Sequence, residues 1–418
     1  MKEFNYAIAD QFLVSGGNFL ISIILGRLLT PSEFGLYIFS FTTLFLALGF
    51  VNNLTFCGMS VLGSSVHGKE WNRILHNSLL FFLTSSLALT LLCFIAAYLL
   101  CKIGFSDNGN TLTATAIILT FFIGQEFVRR ILLTRLKSLI AFISDCIIYI
   151  MRIALIYLLI TLDRDYANAR MAIYIIGLTS LLGIIIGYYM GGFISIKERF
   201  KIDKKTIMAL WSYSKWIIAE WFPFMLGGSL YIYVVTFVLG NVQTGILGAC
   251  RNLIQPITIL LLSISNIALP FYSKMFTSQG GQKVIKHLFK LFAILFILIS
   301  IYLITINVFA SVMLSMLFGK YIGYSHVVLL FTVATLFVFF FKPGEIYLKI
   351  SLKPHIVFKS RMYSAIVSLI TIFPLIYFYG LEGSLYNCII TEMTMCIAIY
   401  VYLYKQIKQD EGHKICLT

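Results

Sequence analysis

A few ionisable residues sit where the surrounding sequence is almost wholly apolar. Asp145 and Arg152 share one apolar run, Glu220 lies in a second, Arg251 in a third, Lys342 and Glu345 in a fourth, and Glu392 in a fifth. Asp10 and Glu126 fall nearer the ends of theirs. A charge at the centre of a helix in lipid costs roughly 2.5–3.5 kcal/mol on the insertion scale. Each of these residues therefore needs a partner or a wet surface. Two roles fit: the charge bonds a neighbouring helix and fixes packing, or it lines a polar path through the protein. Asp145, Tyr149 and Arg152 follow an i, i+4, i+7 spacing and form one stripe. At 1.5 Å per residue, Asp145 and Arg152 are about 10.5 Å apart along the axis, so only their long side chains narrow the gap. No cluster of His, Cys and Asp has metal spacing, and no Ser/His/Asp set stands out. The chemistry on offer is the holding of polar groups and ions, not the making of bonds.

Apolar helices must position these groups. A helix needs about 20 apolar residues to cross the hydrocarbon core. Twelve such runs appear, near 8–29, 34–56, 77–101, 112–132, 138–161, 171–195, 216–239, 245–270, 288–309, 325–348, 362–379 and 383–404. The predicted fold class is an all-α polytopic membrane protein: twelve transmembrane helices in two six-helix halves, related by a pseudo-two-fold along the membrane normal around a central cavity. The first half covers 1–196 and the second 216–418, with a basic linker helix at 197–215 between them. In that linker Asp203 is placed to cap a helix whose Ile207, Leu210, Trp211 and Ser214 share a face. The halves echo one another: Leu25-Gly26 ends the first span and Leu239-Gly240 the seventh, while Glu126 and Glu345 occupy matching places in spans four and ten. Pro223 and Gly227-Gly228 interrupt span seven, and Gly16 and Gly17 weaken span one at a comparable place. Gly16, Gly17 and Pro223 are thus the expected hinges.

Composition agrees. Hydrophobic residues make up 60% of the chain and charged residues 12%, about half the charge of a soluble domain. The net charge of +15 does not point to nucleic acid, because the basic residues cluster in alternate loops. With the N-terminus in the cytoplasm, 24 of the 32 Lys and Arg fall in cytoplasmic segments, as the positive-inside rule requires. Both termini are then cytoplasmic. The first apolar run has no cleavage site and reads as a retained span. The eight cysteines lack metal spacing and read as small hydrophobes. No loop exceeds about twenty residues, which leaves no room for the catalytic outer loop of a membrane glycosyltransferase or polymerase.

Four segments carry a family resemblance. They are Leu25-Gly26-Arg27-Leu28-Leu29-Thr30-Pro31-Ser32-Glu33-Phe34-Gly35-Leu36-Tyr37; the stretch from Gly240-Asn241 through Arg251 and Gln255-Pro256 to Ala268-Leu269-Pro270-Phe271-Tyr272-Ser273-Lys274; Leu317-Phe318-Gly319-Lys320-Tyr321; and Tyr379-Gly380-Leu381-Glu382-Gly383-Ser384-Leu385-Tyr386-Asn387. In order and placement they resemble the Wzx-type flippases of polysaccharide repeat units, within the multidrug/oligosaccharidyl-lipid/polysaccharide exporter superfamily. The resemblance implies a bacterial inner membrane and a cargo of undecaprenyl-diphosphate-linked oligosaccharide, such as an O-antigen or capsule unit. It also implies a polymerase and a chain-length regulator as neighbours, and no organic cofactor.

With such a cargo, Arg152, Arg251 and Lys342 are placed to hold the diphosphate, and Arg27 to receive it at the outer end; arginine forks match phosphate oxygens. Asp145, Glu220 and Glu392 are candidates to exchange a proton or a sodium ion. Many relatives carry an acid in mid-span seven, where this chain has Tyr231-Ile232-Tyr233. A coupling role at that usual place is in doubt here. Two other readings stand beside this one: a multidrug or cell-wall-precursor exporter of the same superfamily, and a membrane glycosyltransferase or polymerase.

Overall fold

A computed structural model describes residues 2–64, 66–162, 167–192 and 203–415. Every long element in it is an α-helix. They are α1 (Lys2–Leu28), α2 (Pro31–Val51), α3 (Cys57–Gly63), α4 (Lys69–Lys102), α5 (Ser106–Thr134), α6 (Ser138–Leu162) and α7 (Ala169–Gly191), then α8 (Lys204–Gly228), α9 (Leu230–Val238), α10 (Asn241–Gln279), α11 (Gly281–Val308), α12 (Ala310–Phe318), α13 (Ser325–Ile350) and α14 (Pro354–Ile415). Among the described residues, eleven helical stretches are long and apolar enough to cross a membrane.

The last stretch, 52 residues from Pro354 to Lys405, is two crossings. Gly380 breaks α14 with φ 56° and ψ −128°, a left-handed backbone that only glycine adopts cheaply. The arms then fold back on each other. Ser364 Oγ donates to the Thr391 carbonyl at 3.0 Å, and Asn387 Nδ2 donates to the Ser368 carbonyl at 2.9 Å. Twelve crossings result, as the apolar runs predict.

The chain divides into two compact units, Met1–Trp221 and Phe222–Thr418. Each repeats one packing scheme. In the first, α5 lies against α2, α4 and α7; in the second, α13 lies against α10, α11 and α14. Spans four and ten are thus the central helices of their units. The outer faces invert the soluble pattern. Leu87, Leu91, Ile95 and Tyr98 on α4 and Ile297, Ile301 and Ile304 on α11 are exposed at helical spacing. Lipid is the solvent for such stripes.

Two crossings are irregular. Span two opens into a π-turn at Asn52–Phe56, and the Leu54 carbonyl accepts the Ser214 hydroxyl of α8 at 2.7 Å. Span seven stops at Gly228 and restarts at Leu230, five residues beyond Pro223. The expected interruption is present there. By contrast α1 runs unbroken through Gly16 and Gly17.

Gly17 has a packing role. A Cβ there would enter the Tyr149 ring of α6, whereas one at Gly16 meets nothing within 4 Å. Gly17→Ala should therefore lower the thermal midpoint, at the about 1–3 kcal/mol typical of overpacking, while Gly16→Ala should not. Equal losses at both positions would point back to a hinge.

The linker is partly visible. Lys197, Arg199 and Lys201 lie outside the described residues. From Lys204 the helix continues unbroken into span seven. Asp203 caps it: its Oδ2 accepts from Thr206 Oγ1 at 2.6 Å and its Oδ1 from Lys205 N at 3.2 Å. The expected face is only partly covered. Leu210 and Ser214 are buried, while Trp211 is 51% exposed. The Thr206 hydroxyl holds the Asp203 carboxyl below its ordinary pKa. A lowered carboxyl pKa stabilises above the unfolded value, and that help is lost as pH falls through the folded value. Asp203→Ala should speed hydrogen exchange in the first turn of α8 at neutral pH, and the difference from wild type should shrink in acid.

Candidate functional site

The buried charges form one network in each unit. In the first unit the hub is Arg129 on α5. Its Nη2 and Nε donate to Asp10 Oδ2 of α1 at 2.7 and 2.9 Å, and its Nη1 reaches Glu126 Oε2 at 3.0 Å. Nε also lies 2.9 Å from Asp145 Oδ2 of α6. That contact is an ion pair without a hydrogen bond, because the N–H is aimed at Asp10. Glu126 additionally accepts from Arg130 Nε at 2.7 Å. Asp10 is fully buried, Asp145 is 2% exposed and Arg129 is 7% exposed.

Asp145 and Arg152 are joined through an amide. Gln125 Nε2 donates to Asp145 Oδ1 at 3.4 Å, and Gln125 Oε1 accepts from Arg152 Nη2 at 3.2 Å. The rest of the Arg152 guanidinium is bound by Thr179 Oγ1 at 2.9 Å and Ser180 Oγ at 3.0 Å on α7, and it lies over the Tyr149 ring. The network holds Arg129, Arg130 and Arg152 against Asp10, Glu126 and Asp145, so full ionisation leaves it neutral. Yet Asp10 Oδ1 and Asp145 Oδ2 accept no hydrogen bond. Buried carboxylate oxygens of that kind are expensive unless they share a proton or meet a cation.

The second unit has the opposite polarity. Its hub is Glu345 on α13, 5% exposed. Lys342 Nζ lies 3.1 Å from its Oε2, Lys349 Nζ 2.8 Å from its Oε1, and Arg361 Nη2 of α14 3.9 Å from its Oε2. Glu392, on the second arm of α14, keeps a buried Oε2 with no hydrogen-bond partner and sits within the field of Arg361, Lys342 and Glu345. Lys342, Lys349 and Arg361 thus all lie around one carboxylate, Glu345. Glu126 and Glu345 occupy matching places and each holds two cations of its own helix, but in the first unit an arginine gathers further acids and in the second the glutamate is itself the hub.

The structure brings Asp145 and Arg152 into one cluster, and Lys342 and Glu392 into the field of another. Arg152 is 1% exposed, and its bonds hold α6 to α5 and α7. A phosphate could reach it only by breaking them. Arg27 in the last turn of α1 and Arg251 on α10 are exposed, and Glu220 on α8 is half-buried. Arg129, Lys349 and Arg361, counted from sequence among the cytoplasmic cations, lie within helices: Arg129 and Lys349 pair with buried acids, and Arg361 comes to 3.9 Å from one. The Glu126-Arg129-Arg130 spacing was a usable signal, as i, i+3 and i+4 share a helix face. Asp10, 119 residues away in sequence, gave none.

The motif segments turn out to shape turns. Thr30 Oγ1 caps α2 by accepting from Glu33 N at 3.2 Å, and Glu33 Oε2 caps α7 by accepting from Ala169 N at 2.6 Å. Gly240, Gly319 and Gly380 all have positive φ, and a Cβ on Gly383 would strike the Leu375 carbonyl.

No family model matches the chain, and no curated protein matches it by sequence. Solved structures do match by fold. A multidrug resistance MATE family transporter of the MOP superfamily, in an inward-facing conformation, superposes with a TM-score of 0.79 at 12% identity, covering 97% of this chain and 99% of that one. The lipid II flippase MurJ superposes at 0.72 with 14% identity, covering 96% and 87%. A eukaryotic MATE transporter gives 0.66 at 13%, covering 96% and 95%. The chain is a multi-pass membrane protein whose fold is the one seen in these transporters and this flippase.

Proposed function

We propose that this chain flips undecaprenyl-diphosphate-linked oligosaccharide units, of the O-antigen or capsule kind, from the cytoplasmic to the outer leaflet of a bacterial inner membrane. Both termini face the cytoplasm, and transport runs by alternating access driven by a proton or sodium gradient. The observation that carries the reading is the pairing of twelve crossings with the Arg27–Tyr37 type of opening. Drug exporters lack that opening, and cell-wall-precursor flippases commonly have fourteen spans. The oxygens of Asp10, Asp145 and Glu392 that accept no hydrogen bond suit ion exchange, since a carboxyl removed from water gains by taking up a proton or a cation. Arg152 would then report the state of Asp145 through Gln125. A polymerase and a chain-length regulator would receive the flipped unit.

A drug-exporting role is the second reading, favoured by the TM-score of 0.79 to a multidrug transporter. Depleting the protein in its own host separates the two. The expected result is complete lipid-linked units accumulating on the cytoplasmic leaflet, with surface polysaccharide lost. Normal surface polysaccharide with altered drug tolerance would move the assignment to an exporter. A shortened glycan would indicate a missing enzymatic step.

A further inference from the structure

Arg361 is an arginine without an acceptor. Its side chain is only 13% exposed, yet no hydrogen bond to any described residue satisfies its guanidinium. Its one ion-pair contact, with Glu345 Oε2, is 3.9 Å long, beyond hydrogen-bond reach. Meanwhile Glu345 is already taken by Lys342 at 3.1 Å and Lys349 at 2.8 Å. The guanidinium is nevertheless held firmly. Its carbon lies 5.3 Å from the Phe224 ring centre and 5.7 Å from that of Phe341. Both rings and the cation attract one another, which fixes the group while leaving its in-plane N–H donors unspent.

Five donors almost out of water with no acceptor are costly, and structures rarely leave them so. Arg152 shows the contrast within the same chain: it is more deeply buried, and hydroxyl, amide and carbonyl oxygens accept from it. The charge around Arg361 asks for the same missing partner. Lys342 and Lys349 already hold the Glu345 carboxylate at 3.1 and 2.8 Å, so the acid beside Arg361 is not its own. Lys342 and Lys349 keep 16% and 29% of their side chains exposed, so both can turn toward an incoming group.

We infer that Arg361, with Lys342 and Lys349, forms an oxyanion site in the second unit that takes a phosphate or diphosphate group, with Phe224 and Phe341 clamping the arginine fork. The fork pairs two phosphate oxygens in its plane, and the ammonium groups supply point charge beside it. Glu345 holds the two lysines in place when the site is empty. The inference stands on the geometry of this unit and does not depend on the oligosaccharide cargo. A membrane phospholipid and a diphosphate-bearing solute both present such a group, and the chemistry of the site is common to both.

The test is calorimetric titration of inorganic diphosphate into the full-length protein purified in a non-ionic detergent. Wild type should bind. Arg361→Gln should weaken binding by about tenfold or more, because a charge-assisted paired hydrogen bond is lost. Arg361→Lys keeps the charge but not the fork, and should also lose several-fold. Lys359→Gln removes a charge from an exposed position on the same helix and should change binding by less than about twofold if the site is specific. Short-chain phosphatidylglycerol as competitor identifies the source: displacement assigns the site to lipid head groups, and its failure assigns it to a solute-borne diphosphate. Both outcomes uphold an oxyanion site. No binding by wild type, undiminished binding by a folded Arg361→Gln or Arg361→Lys, or equal losses at Lys359 and Arg361, would overturn it. Failure of the flippase reading would appear in surface polysaccharide and would leave this titration unchanged.

Discussion

Arg129→Met should nearly abolish folded protein in the membrane fraction, the largest effect expected of any single substitution in the first unit. The methionine fills similar space but leaves Asp10, Glu126 and Asp145 without their shared cation. Arg130, the nearest replacement, is committed to Glu126 and has a side chain 39% exposed. Breaking a buried ion pair from one side typically costs 3–5 kcal/mol, because the abandoned charge stays buried. Here three carboxyls are abandoned together. Each can take a proton, so the loss should soften as pH falls. Adding Asp10→Asn and Asp145→Asn to Arg129→Met should recover much of the folded yield, measured by size-exclusion profile and thermal midpoint. If the triple variant is no better than the single one, the acids are not what Arg129 stabilises, and the network's role is wrongly drawn.

Glu345→Gln should be the most damaging single change in the second unit, by the mirror-image argument. It leaves Lys342, Lys349 and Arg361 facing one another without the carboxylate they share. The expected loss is smaller than at Arg129, about 2–3 kcal/mol, because lysine stems can swing their heads toward water. Lys349 lies in the last turn of α13 and can do so most readily. Lys342→Met should then partly restore the Glu345→Gln variant by removing the cation with the least freedom, which thermal unfolding of single and double variants would show. A double variant weaker than either single one would mean that Lys342 has a partner of its own beyond Glu345. The two substitutions together test whether the first network is organised by its arginine and the second by its glutamate.

Opposite hubs in one repeat give a division of labour consistent with the proposed transport. The first network is neutral when ionised and offers two carboxylate oxygens without a hydrogen bond. It is suited to a small cation. The second gathers three cations round Glu345 and offers an arginine fork. It is suited to an oxyanion. Sequence alone hides this, because Glu126 and Glu345 look like equivalent residues in equivalent spans.

Apolar run length determined the helices, because lipid admits only elements that satisfy their own backbone. For the same reason the twelve crossings were legible, even where Gly380 folds one uninterrupted helical stretch into two. The break in span seven was legible too, since Pro223 and the glycine pair weaken a helix wherever it packs. Asp203 announced its cap because capping is decided within four residues. What the sequence withheld was partnership. Positive-inside counting treats a basic residue near a span end as a loop charge, and so it placed Arg129, Lys349 and Arg361 outside the membrane's polar interior. Whether such a residue faces water or a buried acid depends on the helix beside it. Asp10 meets Arg129 only because α1 packs with α6 beside α5, and Gln125 bridges Asp145 to Arg152 only because α5 and α6 cross where they do. Gly17, which looked like a hinge, became a seat for Tyr149 for the same reason. Local rules of length, capping and helix breaking act along the chain and survive in the sequence; charge pairing also acts between helices, across 119 positions for Asp10 and Arg129, and was decided by how the helices pack.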